Sequence, residues 1–141
     1  MLHQTLQSAL LFAVVANGAI PSLVGTWEGK ANDLPGIELT IRDSAGKPEG
    51  EITFIFQQRG ADGKWQAKGG TPQPLLNVQA GAKTLSFEVT HHKFHGSSEF
   101  GPNVKFRVEL INDEELRLFK VEKDAAPGPG FKLTRAKKAG R

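Results

Sequence analysis

Thr84-Leu85-Ser86-Phe87-Glu88-Val89 is the stretch on which the fold turns. Leu85, Phe87 and Val89 share one face, and Ser86, Glu88 and Thr90 share the other, the two-residue period of a strand with one side in a core and one in water. Downstream, Val104, Phe106, Val108 and Leu110 alternate with Lys105, Arg107 and Glu109, and Asn112-Asp113 turns the chain into Leu116 and Leu118. Phe119 and Val121 then carry apolar character on the opposite parity, which predicts a bulge or a strand covered on both sides. Phe131, Leu133 and Arg135 share a face after the loop Ala125-Ala126-Pro127-Gly128-Pro129-Gly130.

Upstream the same rhythm continues. Leu76 and Val78 alternate after the break Gly69-Gly70-Thr71-Pro72-Gln73-Pro74, whose prolines suit an edge or a bulge. Trp65 to Lys68 is expected to start a fourth strand. Ile52, Phe54 and Phe56 form the third, which runs to Gln57-Gln58-Arg59 and a hairpin loop at Gly60-Ala61-Asp62-Gly63. Ile37, Leu39 and Ile41 mark the second, entered by a turn at Asn32-Asp33-Leu34-Pro35-Gly36, and Gly25 to Lys30 is the first. The sum is about eight strands without a helical apolar period after residue 24. An all-β, eight-stranded antiparallel up-and-down barrel accounts for them and leaves no free edges; a sandwich is the structural alternative.

The chain has 141 residues, enough for one core. Eighteen Lys and Arg face fifteen Asp and Glu, a net charge of +3, which does not point to nucleic acid. Four of those cations lie in the last seven residues, Arg135 to Arg141, without interleaved aromatics. With no cysteine, disulfides and thiolate chemistry are excluded. Residues 1–19 contain an apolar run from Ala9 to Ala16 followed by small residues, shorter than the roughly 20 needed to span a bilayer. It reads as a signal peptide cleaved near Ala16-Asn17-Gly18, with secreted or periplasmic localisation, or as an amphipathic N-terminal helix of a cytoplasmic protein, since Leu2, Leu6 and Leu10 recur every four residues. No Lys or Arg precedes the apolar run. The expected organisation is therefore 1–19 signal or helix, 24–136 barrel, and 137–141 basic tail.

Gly25-Thr26-Trp27-Glu28-Gly29 resembles the opening strand of calycins, the superfamily of lipocalins and fatty-acid-binding proteins, and the last strand, with Arg135, is similar to theirs. The resemblance implies a lipocalin-like barrel in which Trp27 packs under Arg135 and closes one end. Together with Gly50-Glu51-Ile52, Thr84 to Val89 and Lys132-Leu133-Thr134-Arg135, the chain also resembles a small barrel domain of bacterial secreted proteins whose members are largely uncharacterised. It departs from typical lipocalins in lacking cysteine, tyrosine and a Thr-Asp-Tyr motif.

The chemistry-bearing cluster is His91-His92-Lys93-Phe94-His95. On a strand His91 would continue the inner face of Leu85, Phe87 and Val89, and His91 and His95, which share a face, could take a metal with a third ligand such as Glu99; the competing reading is a polar strand end at the rim. No nucleophile elbow, phosphate loop or dinucleotide pattern is present, so neither an enzyme nor a cofactor is expected. What remains is the interior, five of whose residues are Phe. It is either filled by its own side chains or able to hold one small molecule. The first expectation is a binding barrel for a small lipophilic ligand, lined by Phe54, Phe56, Phe87, Val89, Phe106 and Val108. The alternative is a solid accessory module that contacts a protein partner through Ile55, Phe119 and Val121.

Overall fold

Short alternating segments separated by turn residues become strands because each buries one face and solvates the other. The computed structural model describes residues 22–91, 99–123 and 128–137. The expectations for residues 1–19, for His92 and His95, and for the tail beyond Lys137 lie outside the described residues. The strands are β1 (Gly25–Ala31), β2 (Leu34–Ser44), β3 (Lys47–Phe54), β4 (Gln57–Arg59), β5 (Trp65–Ala67), β6 (Gln73–Pro74), β7 (Leu76–Ala80), β8 (Thr84–Val89), β9 (Val104–Asn112), β10 (Glu115–Lys120) and β11 (Phe131–Arg135).

Nine of them form one antiparallel sheet in the order β6-β3-β2-β1-β11-β10-β9-β8-β7. The two outermost strands, β6 and β7, are separated by the single residue Leu75, so the sheet curls round until its ends meet and makes a nearly closed barrel. The kink has local causes. Pro74 has no N–H to donate, Asn77 takes a left-handed φ of 50°, and the β7–β8 register shifts between Leu76 and Gln79. Across the seam Leu75 N donates to Gly50 O at 3.0 Å, and Thr90 Oγ1 donates to Gln73 Oε1 at 3.0 Å. The sheet thus has nine hydrogen-bonded strands where the sequence suggested eight.

Three other local expectations need correction. The first turn is only Asn32-Asp33, both left-handed (φ 55° and 61°), and Leu34, Pro35 and Gly36 already belong to β2. Two consecutive positive φ values match the right-handed twist of the flanking strands, so a two-residue connection suffices. Trp65–Ala67 is not a stave of the barrel: it pairs with β4 alone, Arg59 opposite Trp65, in a separate hairpin. His91 does not extend the inner face of β8; it lies past the strand's end, exposed.

The core is made of Leu23, Trp27, Leu39, Ile41, Ile52, Leu75, Leu85, Phe87, Val89, Val108, Leu116, Leu118 and Leu133. No polar or charged residue is buried among the described residues. Full burial of Phe87 or a leucine is worth about 1.5–3 kcal/mol each, which is what holds the staves inward. At Gly29 the closing strand presses directly on the first: a side-chain carbon there would run into Phe131 and Leu133 of β11. The parity switch in β10 is a strand covered on both sides, because pairing with β9 runs regularly from Leu116 to Lys120 and the irregularity lies earlier, between Glu115 and Leu116. Leu116 and Leu118 face the core, and Phe119 faces out beneath Arg107, whose guanidinium is 5.3 Å from the ring centre.

Candidate functional site

The two ends of the barrel are built differently, and the difference follows from its connections. One end carries the turns β2–β3, β7–β8 and β9–β10, each two or three residues long, together with Leu23 and Val24 leading into β1. The other carries the long β3–β6, β8–β9 and β10–β11 connections and the Asn32-Asp33 turn.

At the short-turn end Trp27 is fully buried and stands opposite Arg135 in the β1–β11 register. Its indole Nε1 donates to Leu23 O at 2.9 Å, which fastens the segment before β1 beneath the barrel. The Arg135 guanidinium lies over the indole, 4.2 Å from the ring centre. Each of its three nitrogens has a backbone carbonyl: Nε reaches Asp113 O at 2.9 Å, Nη1 Val24 O at 2.8 Å and Nη2 Ser22 O at 3.1 Å. A planar fork of donors can hold three carbonyls and stack on a ring at once, which a lysine ammonium cannot. Gly25 adds a steric condition, since its φ of 138° disfavours a side chain and a carbon placed there would sit 2.8 Å from Arg135 Nη1.

At the opposite end β3 and β9 are not neighbours in the sheet, yet Phe54 and Phe106 meet, ring centres 5.6 Å apart. Phe87, paired with Phe106 across β8 and β9, stacks on it at 5.9 Å. The result is an aromatic row running from buried Phe87 through half-buried Phe106 to exposed Phe54, with buried Val89 and Val108 flanking it on β8 and β9. Phe56 lies beyond the end of β3 and is exposed, so it belongs to the rim and not to the interior wall.

The β4–β5 hairpin continues β3 past this rim. Its root is tied to the first turn by one side chain: Gln57 Nε2 donates to Ala31 O at 2.9 Å and to Pro35 O at 3.0 Å, while Asn32 Nδ2 donates to Gln57 Oε1 at 3.0 Å. No hydrophobic pattern could have found Gln57, because its partners are backbone carbonyls of the strand ends beside the turn and the side chain of Asn32.

Of the histidines, His91 stands exposed at the end of β8, and His95 lies outside the described residues. Among the described residues no three His, Cys, Asp or Glu side chains are grouped as metal ligands would be. The outward apolar set is also reduced: Ile55 and Phe119 are half-buried, Phe119 between Arg107 and Gly130, and only Val121 is exposed. On the outer wall Arg42 grips Glu51 with two hydrogen bonds, 2.8 and 2.7 Å, which hold the Glu51 carboxyl below its ordinary range and raise Arg42. No described helix is long and apolar enough to cross a membrane. No family model, curated protein or solved structure matches the chain.

Proposed function

We propose that this protein is a non-enzymatic binding barrel that takes a small lipophilic molecule against the aromatic row, reached from the rim opposite Trp27 and Arg135. The reading includes a calycin-type architecture, with the kinked β6–β7 segment counted as one stave of eight. The observation that carries it is the row itself: Phe87, Phe106 and Phe54 lead from the core to solvent at the end that Arg135 does not cover.

Because no polar residue is buried among the described residues, selection inside would come from shape and apolar area, with any polar head of the ligand left at the rim. Micromolar affinity corresponds to about 8 kcal/mol. At about 25 cal/mol per Å² this takes about 330 Å² of apolar burial before the costs of association, the scale of an acyl chain or a flat ring system.

The test is titration with a fluorescent fatty acid whose emission rises in apolar surroundings, followed by displacement with unlabelled fatty acid. Saturable enhancement at micromolar protein is expected. Phe54→Glu places a charge at the exposed end of the row and should weaken binding at least about tenfold, while thermal stability changes little. Absence of enhancement, or equal binding by Phe54→Glu, overturns the reading.

A further inference from the structure

The described residues expose six large hydrophobic side chains, and five of them, Phe54, Phe56, Trp65, Phe100 and Val121, belong to strand ends and connections of the same end of the barrel. Only Ile111 lies near the other. Four of the five are aromatic, between 41 and 56% exposed. Scattered exposed apolar residues are ordinary; their collection on one rim is not.

Trp65 sits on the β4–β5 hairpin, which pairs with no other strand, and every residue from 61 to 72 is exposed. The barrel core therefore does not explain the hairpin's side chains. Between Gln57 and Lys68 it carries Arg59, Lys64 and Lys68 against Asp62, a local excess of two positive charges. Asp62 is engaged in the turn, its carboxylate accepting from Lys64 N at 3.0 Å. Arg59 lies 5.3 Å from the Trp65 ring centre, so cation and indole act as one amphipathic unit.

We propose that this rim is a docking surface for an anionic lipid bilayer, with Trp65 and the rim phenylalanines seated among the headgroups and Arg59, Lys64 and Lys68 against lipid phosphates. Aromatic rings with one wet edge favour the headgroup layer, and cations add attraction to an anionic surface. The apolar side chains come from the end of β3 and from the β3–β6, β8–β9 and β10–β11 connections at one end of the barrel, not from one strand face. A fluid surface conforms to such a dispersed set, and a rigid protein partner would need matching relief. The inference rests on the rim alone and holds whether or not the interior takes a ligand.

The chain has two tryptophans, and Trp27 is fully buried, so a change in emission on adding vesicles reports Trp65. With phosphatidylglycerol-containing vesicles at low salt, a blue shift and quenching by brominated lipid are expected, both lost in Trp65→Phe. Pure phosphatidylcholine should give a weaker response. Replacing Arg59, Lys64 and Lys68 together by Gln should weaken association by about a hundredfold, roughly fivefold per cation. These positions lie outside the barrel, so an unchanged melting temperature shows that the variant is folded. No association with anionic vesicles, association with Trp65 unquenched, or full association of the triple Gln variant would each overturn the proposal. The second outcome would locate contact elsewhere, for instance at the apolar run Ala9 to Ala16.

Discussion

Arg135→Ala removes the roof of the short-turn end, and its cost can be worked from four contacts. The guanidinium stack on fully buried Trp27 is worth about 1 kcal/mol. The partly buried hydrogen bond to Val24 O, with a charged donor, adds about 1.5 kcal/mol. Those to Asp113 O and Ser22 O are open to water and add about 0.5 kcal/mol each. The sum is about 3.5 kcal/mol, or a fall in Tm of about 14 °C for a domain of this size. Arg135→Lys keeps the charge but loses the fork, so it should recover less than half of the loss. The assay is urea unfolding followed by Trp27 fluorescence in a Trp65→Phe background, with Lys132→Ala, outward on the same strand, as a control expected within about 0.5 kcal/mol of the parent. A double-mutant cycle with Trp27→Leu, followed by circular dichroism because that variant has no tryptophan left to report, then isolates the stack. If Arg135→Ala behaves like the Lys132 control, or the coupling energy is near zero, the argument that this end is held shut by Trp27 and Arg135 fails.

Gly29→Val should destabilise the barrel by about 1–3 kcal/mol or prevent folding, because the new side chain collides with Phe131 and Leu133; a melting curve superimposable on the parent's would contradict the close approach of β1 and β11. The Arg42–Glu51 pair sets a pH dependence of known sign. The Glu51 carboxyl is depressed in the folded state, mainly by hydrogen bonds from Arg42, so its contribution is present above the ordinary carboxylate range and disappears as pH falls through the lower folded value. Both side chains are well solvated, so the effect is small and salt-sensitive: Glu51→Gln should flatten the acid limb slightly at low ionic strength and leave it unchanged at high salt. Denaturant midpoints between pH 5 and pH 2 measure it, and a larger loss for Glu51→Gln at low pH than at neutral pH would reverse the sign.

Much of the barrel was legible because alternation is a one-dimensional signal. Leu85, Phe87 and Val89 face the core as their spacing requires, as do Leu39, Ile41 and Ile52. Where the reading failed, the deciding interaction was not periodic. Trp65 to Ala67 looks like a stave, yet its partner is Gln57 to Arg59 just upstream, and nothing in the pattern distinguishes a strand that joins the barrel from one that leaves it. Phe56 continues the parity of Ile52 and Phe54, but β3 ends at Phe54 and Phe56 pairs with the returning arm of the hairpin, its N donating to Gly69 O at 2.8 Å and its O accepting from Lys68 N at 2.7 Å.

By itself the sequence determined most of the strands, their inner faces and the apolar character of the interior, since each depends on residue type and on spacing within one segment; Trp27 and Arg135 were singled out by resemblance, not by spacing. Tertiary structure alone decided how the ends of the sheet meet through Leu75, that Phe54 and Phe106 touch across the interior, and that the exposed aromatics gather on one rim. Those facts depend on the curl and stagger of the whole sheet, which bring together residues tens of positions apart and leave no trace in local periodicity.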